Sequence, residues 1–173
     1  MSQRSLKVLA VNGESDPAET GSFIAMRDRG VDIKVLTWPG TFQHQMLEEA
    51  GVPTIPYVLR SKFSREGIRT IRRELKRTHY DVLHMLDKRG TMNGLWASIG
   101  IDVRLVAYRG IIGNVSYADP LSWFYLLNPR LDRIICVCDA IRTFLLDLGV
   151  PGMRLRREVP VTIHKGHDPS WYA

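Results

Sequence analysis

The chain has 173 residues, 45% of them hydrophobic, enough to bury one sizeable core; no low-complexity run argues for disorder, and no apolar stretch approaches the roughly 20 residues of a membrane span. Its net charge of +6 points toward anionic partners: phosphorylated substrates, a lipid surface or nucleic acid. The short polar lead before the first apolar run lacks the organisation of a signal peptide, so a cytoplasmic protein is expected.

Residues 6–11 read as a buried strand that ends in the polar, glycine-containing run Asn12, Gly13, Glu14 and Ser15. Asp16-Pro17 suits a helix start, and that helix runs to Gly30. Residues 31–38 alternate as a second strand, stopped by Pro39-Gly40, after which Thr41 caps a short helix ended by Gly51. Residues 53–59 read as a third, edge-proximal strand, because Pro56 has no N–H for a central ladder. Ser64 is placed to cap a helix over 64–79, with Ile68, Ile71 and Leu75 on one face of a segment otherwise rich in Arg and Lys.

The run 82–86 reads as a strand buried on both faces, and it stops at the polar loop Asp87, Lys88 and Arg89, before a helix that continues to 99. Residues 102–108 form a fifth strand ending at Arg109 and Gly110, and a long connection leads to Asp119-Pro120, which opens a helix over the apolar run LSWFYLLN. Residues 133–138 form a sixth strand; Asp139 is expected to cap the next helix, closed by Gly149 and Pro151, and 159–164 form a short seventh strand. This alternation predicts an α/β fold, a doubly wound, mostly parallel Rossmann-like sheet of about seven strands with helices on both faces. The first and fourth strands are then neighbours, and ligands belong in the crevice outside their carboxyl ends.

Neither phosphate-binding signature, G-x-G-x-x-G or G-x-x-x-x-G-K-[ST], is present, and no Ser-His-Asp order or metal-ligand cluster stands out, so no metal or cofactor is expected. Cys136 and Cys138, two apart on one strand face, read as free thiols. His84, inside an apolar strand, reads as a satisfied core histidine. Arg109 at a strand end before Gly110 offers a fixed bidentate donor for an anion, or else a structural ion pair. Arg69, Arg72, Arg73 and Lys76 form either a solvated helix face or a surface for anionic lipid headgroups. The absence of interleaved aromatics on that helix argues against a nucleic-acid reader.

Over some 160 residues the order and spacing of several runs resemble the N-terminal, acceptor-side domain of the retaining GT-B glycosyltransferases of family four. The runs are KVLAVNG, GVDIKVLTWPG with EEAGVPTIPY, GIRTIRRELKRTHYDVLH, DKRGTMNGLWAS, LVAYRG, DPLSWFYLLNPRLDRIICVCDAIRTFLLDLGVP and the exit VTIHKGHDPSWY. Several positions depart from the family pattern. Asn12-Gly13 stands where many members have Gly-Gly, Leu86 where a second histidine follows His84, Arg109 where many have a histidine, and Cys138 where a serine is usual.

The resemblance implies that residues 1–165 form the acceptor-binding half of a two-domain enzyme, that 166–173 begin an interdomain linker, and that the donor-binding C-terminal domain lies outside this sequence, on the same or another chain. It further implies a nucleotide-sugar donor, a sugar or lipid-linked acceptor, and no activity without the second domain. Arg109 becomes the catalytic candidate, and Asn12, Gly13, Glu14, Asp87, Lys88, Arg89 and Gly110 the substrate-binding ones. The competing expectation is a non-catalytic Rossmann-like module docking on a partner protein or, through Arg69, Arg72, Arg73 and Lys76, on the inner face of an anionic membrane.

Overall fold

The computed structural model describes residues 4–13, 16–149 and 154–166. Its seven strands are β1 (Lys7–Val11), β2 (Asp32–Thr37), β3 (Thr54–Pro56), β4 (Val82–Met85), β5 (Arg104–Arg109), β6 (Arg133–Cys136) and β7 (Pro160–Thr162). They form one sheet in the order β3-β2-β1-β4-β5-β6-β7, every pairing parallel. The chain is thus a Rossmann-like α/β fold, with β1 and β4 adjacent at the point where the strand order reverses.

Local signals set most helix starts. Asp16 accepts the Glu19 N–H at 2.9 Å to open α1 (Pro17–Asp28), Thr41 accepts that of His44 at 3.2 Å to open α2 (Phe42–Glu49), and Ser64 accepts that of Gly67 at 3.0 Å to open α3 (Arg65–Arg77). The remaining helices are α4 (Lys88–Ala97), α5 (Pro120–Trp123) and α6 (Asp139–Asp147).

Four boundaries differ from the sequence expectation. β3 is only three residues long, bracketed by Pro53 and Pro56, which have no N–H to extend the ladder. α4 starts at Lys88, so Asp87 is its N-cap and the expected polar loop is the first turn of a helix. α5 stops after four residues, because Tyr125, Leu126 and Leu127 are all buried and three successive side chains do not share one helix face. Asp139 does not cap α6: the N-cap is Cys138, without a side-chain bond, while Asp139 accepts the Thr162 hydroxyl at 2.7 Å and ties α6 to β7.

The larger core lies under α3, α4 and α6, where Leu9, Val11, Leu83, Met85, Leu105 and Ile134 point from the sheet into one apolar layer. Each such fully buried side chain contributes about 1.5–3 kcal/mol. On the opposite face Phe23 of α1 and Leu47 of α2 cover Val8, Ala10, Ile33 and Val35. Glu74 of α3, buried, receives Lys34 of β2 at 2.9 Å, Tyr80 at 2.7 Å and Arg77 at 2.8 Å. Burial alone would raise its pKa, but the Lys34 and Tyr80 hydrogen bonds outweigh that and hold the carboxyl below the usual range.

The expected flanking helices are present, with thinner cover beyond β4 on the face of α1 and α2. There Val106 and Tyr108 of β5, Ile135 of β6 and Val161 of β7 are only half-buried; Tyr108 still packs against the α1–α2 core, and α1 meets Ile135 across a cavity.

Candidate functional site

The crevice opens outside the carboxyl ends of β1, β4 and β5. After β1, Asn12 is pinned by its own N–H to the Leu36 carbonyl at 2.9 Å, and its side-chain amide donates to Glu19 at 3.3 Å. Gly13 donates its N–H to Asp87 at 2.9 Å, and the other oxygen of Asp87 accepts the Gly90 N–H at 2.5 Å. Both carboxylate oxygens are thereby committed to backbone. Glycine is required on both sides of this joint: a Cβ on Gly13 would stand 2.7 Å from the Asp87 carboxylate, and one on Gly90 would stand 3.0 Å from the Val11 carbonyl. The first turn of α4 therefore presses directly onto the end of β1.

That turn aims its side chains into two neighbouring cavities. The smaller, about 280 Å³, is lined by Gly13, Trp38, Asp87, Lys88 and Arg89. The larger, about 770 Å³, shares Lys88 and is lined also by Arg109, Gly110, Asn114, Asp119 and Tyr125. Lys88 connects the two, its ammonium 5.5 Å from the centroid of the Tyr125 ring.

Arg109 is the last residue of β5 and only 6% exposed. Its Nη2 donates to the Gly113 carbonyl, its charge acts on the Tyr125 phenol that lines the same cavity, and its Nε, buried, has no hydrogen-bond partner among the described residues. The fork foreseen for an anion is thus partly spent on shaping the loop after β5. That loop turns through positive φ at Gly113 (86°) and Asn114 (54°), a conformation Asn tolerates better than most residues. Burial raises the Tyr125 pKa, against a smaller lowering by Arg109, so the phenol keeps its proton at neutral pH.

Of the residues singled out from sequence, Asn12, Gly13, Asp87, Lys88, Arg89, Arg109 and Gly110 converge on this crevice, whereas Glu14 lies outside the described residues. Arg69, Arg73 and Lys76 are exposed on α3, away from it; Arg72 instead donates to the carbonyls of Ala97 at 2.8 Å and Ile99 at 2.7 Å, capping the end of α4. Tyr125 and Trp38 were not foreseen. Tyr125 sits in an apolar run that reads as core, and only the fold brings it against Lys88 and Arg109.

A third cavity, about 160 Å³, lies behind the crevice and is lined by Glu19, His84, Tyr108 and Lys165. His84 is buried as expected but not satisfied: its Nε2 has no partner among the described residues, and burial depresses its pKa to about 4, keeping the ring neutral. Lys165, just after β7, reaches Asp16 and approaches Glu19 at 3.6 Å. Burial and the neighbouring Asp16 charge raise the Glu19 pKa; the Asp16 pKa is lowered, its desolvation outweighed by the Lys165 hydrogen bond and the α1 amides.

No curated protein sequence matches the chain. Solved structures match its fold: a glycosyltransferase from Rickettsia africae (TM-score 0.71, 13% identity, 98% of this chain and 45% of that one), HepE from Anabaena in complex with UDP-glucose (0.69, 17%, 96% and 46%), and a UDP-N-acetylglucosamine 2-epimerase from Rickettsia bellii (0.63, 12%, 94% and 45%). The chain spans about 45% of the length of these proteins, one Rossmann-like half of a GT-B fold. Because the same half serves a transferase and an epimerase, fold likeness leaves the reaction class open. The family model of glycosyltransferase family 4 matches residues 24–170, and the chain belongs to that family.

Proposed function

We propose that this chain is the acceptor-binding half of a retaining glycosyltransferase that moves a sugar from a nucleotide-sugar donor, the donor being held by a second domain. The observation that carries the reading is the joint placement of Lys88 and Arg109 with the Tyr125 phenol in the 770 Å³ cavity outside the strand ends. Two cations at such a crevice suit a reaction whose transition state sheds negative charge onto a leaving diphosphate, where positioning and preorganised electrostatics do most of the catalysis. Lys88 supplies a mobile point charge from the first turn of α4, where helix N–H groups add to the positive field. Arg109 holds the 110–116 loop through the Gly113 carbonyl and places its charge beside Tyr125. Asp87, with both oxygens taken, acts by holding the β1 loop against α4 and not by touching substrate.

The test is a titration of the isotope-labelled chain followed by amide chemical shifts. UDP-glucose alone should shift few resonances and yield no sugar transfer; a panel of free and lipid-linked sugars should include members that shift Lys88, Gly110 and Asn114. Adding a donor-binding domain from a family relative should then produce transfer to those members. Tight UDP-glucose binding or turnover by the chain alone would overturn the division of labour.

A further inference from the structure

Away from the crevice, four exposed apolar side chains gather on one face. Phe63, Trp96, Ile99 and Phe124 are 52%, 40%, 48% and 46% exposed. The Phe63 and Trp96 rings lie 5.4 Å apart, and Trp96, Ile99 and Phe124 line a shallow groove with Arg130 on its edge. Four large apolar residues from three separate segments meet here with nothing over them.

The platform beneath them is rigid. Arg72 donates to the carbonyls of Ala97 and Ile99, and Arg130 donates to the Leu95 carbonyl at 2.6 Å and the Ser98 hydroxyl at 3.0 Å, so two guanidiniums hold the end of α4 that presents Trp96. The turn bearing Phe63 is locked from below by Asn93, whose side-chain amide donates to the Ser61 and Lys62 carbonyls and whose oxygen accepts the Ser64 N–H at 2.8 Å. Cations adjoin the group: Arg60 and Lys62 flank Phe63 in sequence, and Arg65, Arg69 and Arg73 are exposed on the adjoining α3, with Glu66 the single acid between positions 60 and 73.

We propose that this face docks on an anionic lipid bilayer, the four apolar side chains entering the headgroup layer and Arg60, Lys62, Arg69 and Arg73 meeting lipid phosphates. The charge pattern selects the partner. A protein interface core is depleted of charge and bounded by a mixed polar rim, whereas an apolar group bordered by Arg60, Lys62 and Arg130 and adjoined by the basic α3 complements a surface of one sign whose interior is apolar. The assignment rests on exposure and charge and is independent of the transferase reading. It also redraws the sequence expectation: Arg72 is structural, and the aromatic pair, absent from the basic helix itself, supplies the insertion. α4 carries this face at its end and the crevice cation Lys88 at its start, so a bound bilayer and the crevice are two ends of one helix.

The test uses the 173-residue chain with vesicles of phosphatidylcholine, with and without phosphatidylglycerol. Binding should require the anionic lipid and weaken with salt. Arg69→Gln and Arg73→Gln should each reduce partitioning about fivefold, whereas Arg27→Gln, exposed on α1 across the sheet, should leave it unchanged. Phe63→Ser and Trp96→Ser should each reduce it by about tenfold or more. Brominated lipid should quench tryptophan emission in the wild-type chain but much less in Trp96→Phe; this holds even where a serine variant loses stability. Equal binding to zwitterionic vesicles, no vesicle binding at all, or bromine quenching that persists in Trp96→Phe would overturn the proposal.

Discussion

Gly13 and Asp87, 74 positions apart in the chain, are joined by a 2.9 Å hydrogen bond that fixes the loop after β1 to the first turn of α4. Removing the carboxylate leaves the Gly13 and Gly90 N–H groups without their acceptor and takes away a helix cap. Asp87→Ala should therefore cost about 2 kcal/mol of stability. Gly13→Ala should also destabilise, because its Cβ meets the carboxylate at 2.7 Å. The two losses should be strongly sub-additive in a double-mutant cycle of chemical denaturation, since without the carboxylate much of that clash is gone.

Arg109→Lys keeps the charge and gives up the fork. A lysine lacks the planar fork that holds the Gly113 carbonyl, so the protein should lose about 1–2 kcal/mol of stability, with a lower thermal midpoint and a looser 110–116 loop. With a donor-binding domain added, turnover per folded molecule should fall about tenfold or more, and more than for Asp87→Asn. A change in midpoint with turnover per folded molecule intact would make Arg109 a purely structural residue.

His84 sets a pH dependence whose sign is fixed by its burial. The unfolded histidine takes up a proton near pH 6.5, while the folded one resists it down to about pH 4. Between those values the unfolded chain binds more protons, so stability should rise with pH through that window and level off above it, by on the order of 3 kcal/mol in all. His84→Leu should flatten this slope. Because Nε2 is unpartnered, the substitution should cost little at pH 7.

Arg72 and Arg130 approach the end of α4 from opposite neighbours, and each makes two hydrogen bonds there. Arg72→Gln or Arg130→Gln should each cost about 1–2 kcal/mol, measured by denaturant midpoint. Circular dichroism should show the loss as fraying of one helix end.

What could be read from the chain beforehand follows the range of the interactions concerned. The caps at Asp16, Thr41 and Ser64 are contacts with residues three positions on, so composition reveals them. The strand order follows from alternation and needs no side-chain detail. Asp87 also caps locally, yet its second oxygen is claimed by Gly13 on another strand, and that contact decides that it is a joint and not a ligand. Arg109 was visible as a strand-end arginine, but its coupling to Tyr125 depends on how the short α5 and the turns after it fold back. Asp139 shows the limit of local logic, because the Thr162 hydroxyl on β7 takes the carboxylate that would otherwise be expected to cap α6.

The sheet is dry on both sides at β1 and β2 and half-wetted on one side at β5 to β7, where Val106, Tyr108, Ile135 and Val161 are only half-buried. Backbone amides under such unequal cover do not share one protection factor. Deuterium should enter β7 and β6 through small local openings, while β1 and its neighbours exchange only when the whole domain unfolds. On this side of the sheet opening runs inward from β7, and the pair β1 and β4, whose ends frame the crevice, should be the last to take up label.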